Sequence, residues 1–118
     1  MCKVSIILPC YNVSAYIDRC MQSILAQTYK DYEVICINDG STDDTLKLLQ
    51  SYELKYPKII HVYSFENQGP SQARNEGIHR SKGDYIAFFD SDDYVENNLL
   101  EIACSICEKD ASDAVQFY

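Results

Sequence analysis

Asp90-Ser91-Asp92-Asp93 places three carboxylates in four positions, directly after the apolar run 84–89 (DYIAFF). Carboxylates this close repel one another and cannot be buried together without a counter-charge. A hard divalent cation resolves the repulsion. Mg²⁺ or Mn²⁺ held by one or two carboxylates completes its shell with water and substrate phosphates. In isolation the same triplet reads as a solvated acidic turn capping the next helix. Its place at the end of a strand favours the metal.

Three other clusters carry chemistry. In 39–43 (DGSTD), Asp39 ends an apolar run, where a carboxylate is costly unless it accepts hydrogen bonds. It could accept from a nucleobase N–H or a ribose hydroxyl, or serve only a helix-capping turn. In 67–77 (NQGPSQARNEG), Gly69 permits tight backbone approach before a helix. Arg74 in that helix suits a phosphate or a base carbonyl, or a surface ion pair. In Pro9-Cys10-Tyr11-Asn12, Tyr11 could stack on a planar base or pack as a boundary residue.

The elements between the clusters decide whether they meet. The runs 4–9, 33–38, 59–64, 84–89 and 113–118 read as strands, the first as a continuous apolar run expected of a strand buried on both faces. Helices fall between them. Ile17, Cys20, Met21, Ile24 and Leu25 make one apolar stripe, with Asn12 or Ser14 as its cap. Leu46, Leu49 and Tyr52 face inward on a second helix, capped by Ser41 or Thr42 and ended by Pro57. Residues 71–80 form a short third helix presenting Ala73, Gly77 and Ile78, and Asn97 or Asn98 opens a fourth. Alternating strands and helices predict an α/β, mostly parallel sheet with helices on both faces. Right-handed crossovers put all strand C-terminal ends on one edge, where ligands of such sheets bind. All four polar clusters follow strands, so they converge on one rim.

The 118 residues make one domain, 1–118, with 47% hydrophobic and 24% charged residues. A net charge of −8 disfavours nucleic acid, whose binding needs clustered Lys and Arg. Six cysteines, with Cys104 and Cys107 lacking a second pair at zinc spacing, read as reduced thiols of a cytoplasmic protein. No leader is visible and no apolar run approaches the ~20 residues of a membrane span. A peripheral position at the inner face of the membrane is compatible with this. Ending on an apolar strand suggests a shortened chain.

The stretches 4–12 (VSIILPCYN), 37–45 (INDGSTDDT), 67–78 (NQGPSQARNEGI) and 83–93 (GDYIAFFDSDD) together resemble family-2 glycosyltransferases with the Rossmann-like GT-A fold. Each motif alone is weak; the ordered set is specific and covers nearly the whole chain. The resemblance implies a nucleotide-sugar-binding part of a catalytic domain. Pro9 and Tyr11 would line the nucleoside pocket, Asp39 would hold the base, usually uracil, and Arg74 would lie near base or phosphates. The family's DxD motif falls on Asp90 and Asp92, with Asp92 binding Mn²⁺ or Mg²⁺, Asp90 approaching ribose or metal, and Asp93 a helper. Asn12, Asn67, Gly69 and Ser91 belong to the same stretches and to the same expected site. Asn38 stands where the family often has Asp.

The implied activity is transfer from a nucleoside-diphosphate sugar, UDP by resemblance, to a hydroxyl of a glycan or lipid-linked acceptor, with inversion, in surface polysaccharide synthesis. The family's catalytic base lies beyond the DxD region, and no residue here matches it, so the chain alone is expected to be inactive. A non-catalytic nucleotide-sugar-binding module is the main rival. A haloacid-dehalogenase-type phosphatase would carry its DxD after the first strand, which here ends in Pro-Cys-Tyr-Asn. A dinucleotide fold needs a glycine-rich first turn, and residues 9–16 contain no glycine.

Overall fold

The structure is a computed structural model describing residues 3–92 and 96–102, and the backbone of the strand at 114–116. Its elements are β1 (Val4–Cys10), α1 (Ile17–Leu25), β2 (Tyr32–Asp39), α2 (Thr45–Lys55), β3 (Ile60–Phe65), α3 (Pro70–Arg80), β4 (Tyr85–Phe88) and β5 (Ala114–Gln116). The five strands form one parallel sheet in the order β3-β2-β1-β4-β5. Each expected strand is present, with no end shifted by more than two residues.

Successive side chains of a strand point to opposite faces, and both faces of the central strands are apolar. Val4, Ile6, Leu8, Val34 and Cys36 meet Ile17, Cys20, Met21 and Ile24 of α1 and Leu49 of α2. Ile7, Ile35 and Ile37 meet Ala73 of α3. The division follows from topology. Strand order reverses after β3, so a right-handed crossover carries α3 to the face opposite α1 and α2. Gly77 is what lets α3 lie close to the sheet, since a Cβ there would strike Ile7 Cγ2.

At the sheet's other edge Glu33 is buried at 3% exposure, and its Oε2 accepts from Ser5 Oγ (2.6 Å) and the Lys82 N–H (2.7 Å). A buried carboxylate is tolerable when hydrogen-bonded in this way. The network pins the turn before β4 to β1 and β2, far from the rim.

Two expected caps are corrected. The α1 N-cap is Tyr16, without a side-chain cap bond. Asn12 instead accepts from Thr42 N–H at 2.8 Å. The α2 N-cap is Asp44, not Ser41 or Thr42, and makes no side-chain cap bond, while the Thr45 N–H is taken by Asp43 Oδ1 at 2.9 Å. The tertiary contacts with Asn12 claim Ser41 and Thr42. The helix expected from Asn97 or Asn98 begins at Leu99, with Ile102 N–H bonded to Asn98 O at 3.1 Å. Its remainder, and Cys104 and Cys107, lie outside the described residues. No helix among the described residues is long and apolar enough to cross a membrane.

Candidate functional site

The C-terminal ends of β1 and β2 and the start of α3 enclose a cleft of ≈ 340 Å³, lined by Pro9, Cys10, Tyr11, Asp39, Asn67, Gly69, Pro70 and Ala73. It opens on the edge of the sheet where ligands of parallel α/β folds bind. Its walls are mainly apolar, with Asp39 and Asn67 as polar groups, the usual make-up of a small-molecule site.

Asp39 is the best-held residue of the cleft. It is 5% exposed. Its Oδ1 accepts from the Gln68 N–H at 2.8 Å and its Oδ2 from the Gly69 N–H at 3.1 Å. Its own carbonyl accepts from Asn67 Nδ2 at 3.1 Å. These donors sit at the entry to α3, where backbone N–H groups lack intrahelical partners. The carboxylate is thereby fixed in orientation, and each oxygen keeps capacity for a further donor.

The fit needs two glycines. Gly40 has φ +71, and a Cβ there would lie 2.5 Å from Asn67 N. Gly69 has φ +96, a conformation L side chains rarely adopt. Asn38, the buried neighbour of Asp39, accepts from Ser41 N–H (3.3 Å) and donates to Ser64 Oγ (2.9 Å). An amide can do both where a carboxylate would only accept.

Tyr11 is half exposed on the cleft wall, at 50%. The chain turns sharply after it, because Asn12 sits at φ 51. Cys10 beside it carries no nucleophile. Burial pushes its thiol well above the ordinary range, outweighing the opposing hydrogen bond with Ser91, and a protonated thiol is unreactive.

The DxD segment adjoins this cleft through Ser91. Ser91 is buried at 6% exposure, and its hydroxyl donates to Pro9 O at 2.8 Å. One residue earlier, Asp90 O accepts from the Cys20 thiol of α1 at 3.6 Å. The backbone is thus held from both sides, while the Asp90 and Asp92 side chains face solvent. Neither carboxylate has a protein partner among the described residues. No group of three or more His, Cys, Asp or Glu there could cage a metal. Two free carboxylates without a cage suit a cation that completes its shell from phosphate and water. Asp93 lies outside the described residues.

Of the residues expected at the site, Pro9, Tyr11, Asp39, Asn67 and Gly69 line one cleft. Asp90 and Ser91 stand next to it. Asn12 turns its side-chain oxygen to Thr42. Arg74 is half-buried on α3, off the cleft wall, and makes no ion pair or hydrogen bond among the described residues. Cys10, Pro70 and Ala73 join the lining without having been singled out for it. Their signal was adjacency to Pro9, Tyr11 and Gly69.

The chain is similar to known proteins over nearly its whole length. The chain is 38% identical over 117 residues to glycosyltransferase GlyA of Streptococcus pneumoniae serotype 4, covering 98% of this chain and 17% of that protein. It is 42% identical over 109 residues to chondroitin synthase of Escherichia coli, covering 92% and 16%. The S. aureus TarS structure in complex with UDP superposes with a TM-score of 0.83 at 32% identity, over 94% of this chain and 33% of that one. The chain therefore spans well under half the length of these relatives. The sequence model of glycosyl transferase family 2 matches residues 5–117, and the chain belongs to that family.

Proposed function

We propose that residues 1–118 form the nucleotide-sugar-binding part of a glycosyltransferase that uses a UDP-sugar and a divalent cation. The observation that carries this reading is the meeting of Asp39, Tyr11 and Pro9 in one cleft, with the DxD segment fastened to Pro9 by Ser91. A planar base can stack on an exposed tyrosine while an oriented carboxylate accepts from its edge. The N3–H of uracil supplies the donor that Asp39 can still accept. TarS, solved with UDP and with UDP-GlcNAc, supports the choice of nucleotide.

Asp92 and Asp90 would hold Mn²⁺ or Mg²⁺ against the diphosphate. When bound, the cation stabilises the charge that develops on the departing nucleoside diphosphate. Tyr11 and Pro9 hold the base, and Asp39 fixes its edge, so the sugar–phosphate bond is presented at the rim. A hydroxyl of a glycan or lipid-linked acceptor attacks the anomeric carbon with inversion, in surface polysaccharide synthesis. No described residue is assigned its deprotonation. Calorimetric titration of UDP with and without Mn²⁺, on the parent and Asp92→Ala, tests the reading. Mn²⁺ should tighten UDP binding to the parent and leave the variant unaffected. Equal UDP affinity in all four titrations would end the metal-dependent reading.

A further inference from the structure

Ser41, Thr42 and Asp43 follow Asp39, yet none of them lines the cleft. Their polar groups turn instead to the loop after β1. The Asn12 N–H donates to Ser41 Oγ at 3.1 Å. Asn12 Oδ1 accepts from the Thr42 N–H at 2.8 Å and from the Thr42 hydroxyl at 3.3 Å. The Ser14 N–H donates to Asp43 Oδ2 at 3.2 Å. Between them the Val13 N–H donates to Thr45 Oγ1 at 2.9 Å, whose own hydroxyl donates to Asp43 Oδ1 at 2.5 Å. Three consecutive backbone N–H groups, 12 to 14, are thus satisfied by side chains of the loop after β2 and of Thr45, the first residue of α2.

That lacing explains a conformation. Asn12 is the one non-glycine residue at positive φ among the described residues. L residues avoid this region, and Asn is among the few that visit it. The strained turn persists because the opposite loop fixes both its amide and its side-chain oxygen. Its consequence falls on Tyr11, the residue just before the turn, half exposed on the cleft wall.

We propose that Asn12, Ser41, Thr42 and Asp43 form a clamp that fixes Tyr11 in its base-receiving position, acting as positioning residues without touching the nucleotide. The inference rests on the reading of Tyr11 as the stacking partner of the base. A clamped tyrosine loses little freedom on binding, whereas an unclamped one must be ordered by the ligand at a cost in affinity.

The test is a double-mutant cycle on UDP affinity, measured by calorimetry on the 118-residue chain, with thermal melting of each variant. Asn12→Gly keeps the left-handed backbone and deletes the side-chain acceptor. Ser41→Ala removes only the acceptor for the Asn12 N–H, and so tests the clamp even if Asn12→Gly folds poorly. Asn12→Gly should weaken UDP binding about fivefold, and Ser41→Ala about two- to threefold, with both effects below about twofold once Tyr11 is Ala. Unchanged affinity in both variants overturns the clamp, as does a loss equally large without Tyr11. A parent that binds no UDP overturns the nucleotide reading and the clamp with it. A binding parent with unaffected variants overturns the clamp alone.

Discussion

The Ser91 hydroxyl and the Pro9 carbonyl are joined at 2.8 Å across 82 positions of chain. The bond links the β4 exit, which bears the two DxD carboxylates, to the β1 exit, which bears the cleft wall. The segment bearing Asp90 and Asp92 and the cleft wall are therefore tied into one unit.

Ser91→Ala should break that unit. A buried carbonyl is left without its donor, at a cost of about 1–2 kcal/mol in folding stability. The advantage that Mn²⁺ gives to UDP binding should also fall about threefold, because Asp90 and Asp92 lose their fixed base. Urea unfolding and paired titrations with and without Mn²⁺ check both. Parent-like values in both would show that the segment is held by other contacts.

Asp39 holds the entry to α3 as well as lining the cleft. Asp39→Ala leaves the Gln68 and Gly69 N–H groups without their acceptors. Hydrogen bonds to charged groups contribute about 1.5–3 kcal/mol each, so a loss of about 3 kcal/mol is expected. Asp39→Asn keeps one acceptor oxygen and should lose roughly half as much. Chemical denaturation of both variants is the measurement. An alanine variant as stable as the parent would mean that the two N–H groups find water or another acceptor.

Two glycines separate backbone strain from packing. Nothing lies within 4 Å of a Cβ at Gly69, so Gly69→Ala reports its φ of +96 alone, about 1–3 kcal/mol destabilising. At Gly77 the helix gains about 1 kcal/mol from alanine, while overpacking costs about 1–3 kcal/mol. The clash with Ile7 Cγ2 should decide the sign as destabilising. Ile7→Leu, which moves the branch away from Cβ, should recover part of the loss at Gly77→Ala and none at Gly69→Ala. Additive behaviour of the Ile7 and Gly77 changes would refute the direct contact.

Asp43 gives the clamp a pH limit. The Thr45 hydroxyl first, with the Thr45 amide and contacts from Ser14, holds its carboxyl down at about 2, below the usual 3.8. A group depressed in the folded state stabilises it above its unfolded pKa and loses that contribution as pH falls through the folded pKa. The parent's stability advantage over Asp43→Asn should therefore be constant above about pH 5 and shrink between about pH 4 and pH 2. The side chain is exposed, so solvent and salt keep the advantage small. Urea midpoints of the two proteins across that range provide the check. An advantage that persists unchanged at pH 2 would contradict it.

Much of this protein was legible without coordinates. Continuous apolar runs such as Ile6-Ile7-Leu8 and Val34-Ile35-Cys36-Ile37 specify strands buried on both faces, and the stripe on α1 specifies a helix over one of them. Order and handedness then force the polar clusters after β1, β2, β3 and β4 to one edge. Periodicity and chirality are properties of the chain itself, so the fold class and the rim could be read from it.

Which partner each polar group takes could not. The sequence offered Asn12 and Ser14 to α1, and Ser41 and Thr42 to α2. In the folded protein Asn12 bonds Ser41 and Thr42, and Ser14 bonds Asp43, each across about 30 residues. Ser91 stood among the ligand residues, yet its hydroxyl is turned inward to Pro9. Local spacing lists the donors and acceptors within reach along the chain, but hydrogen bonds saturate. Each group's partner is settled only when distant segments arrive at the same rim and compete for it, and that competition exists only in three dimensions.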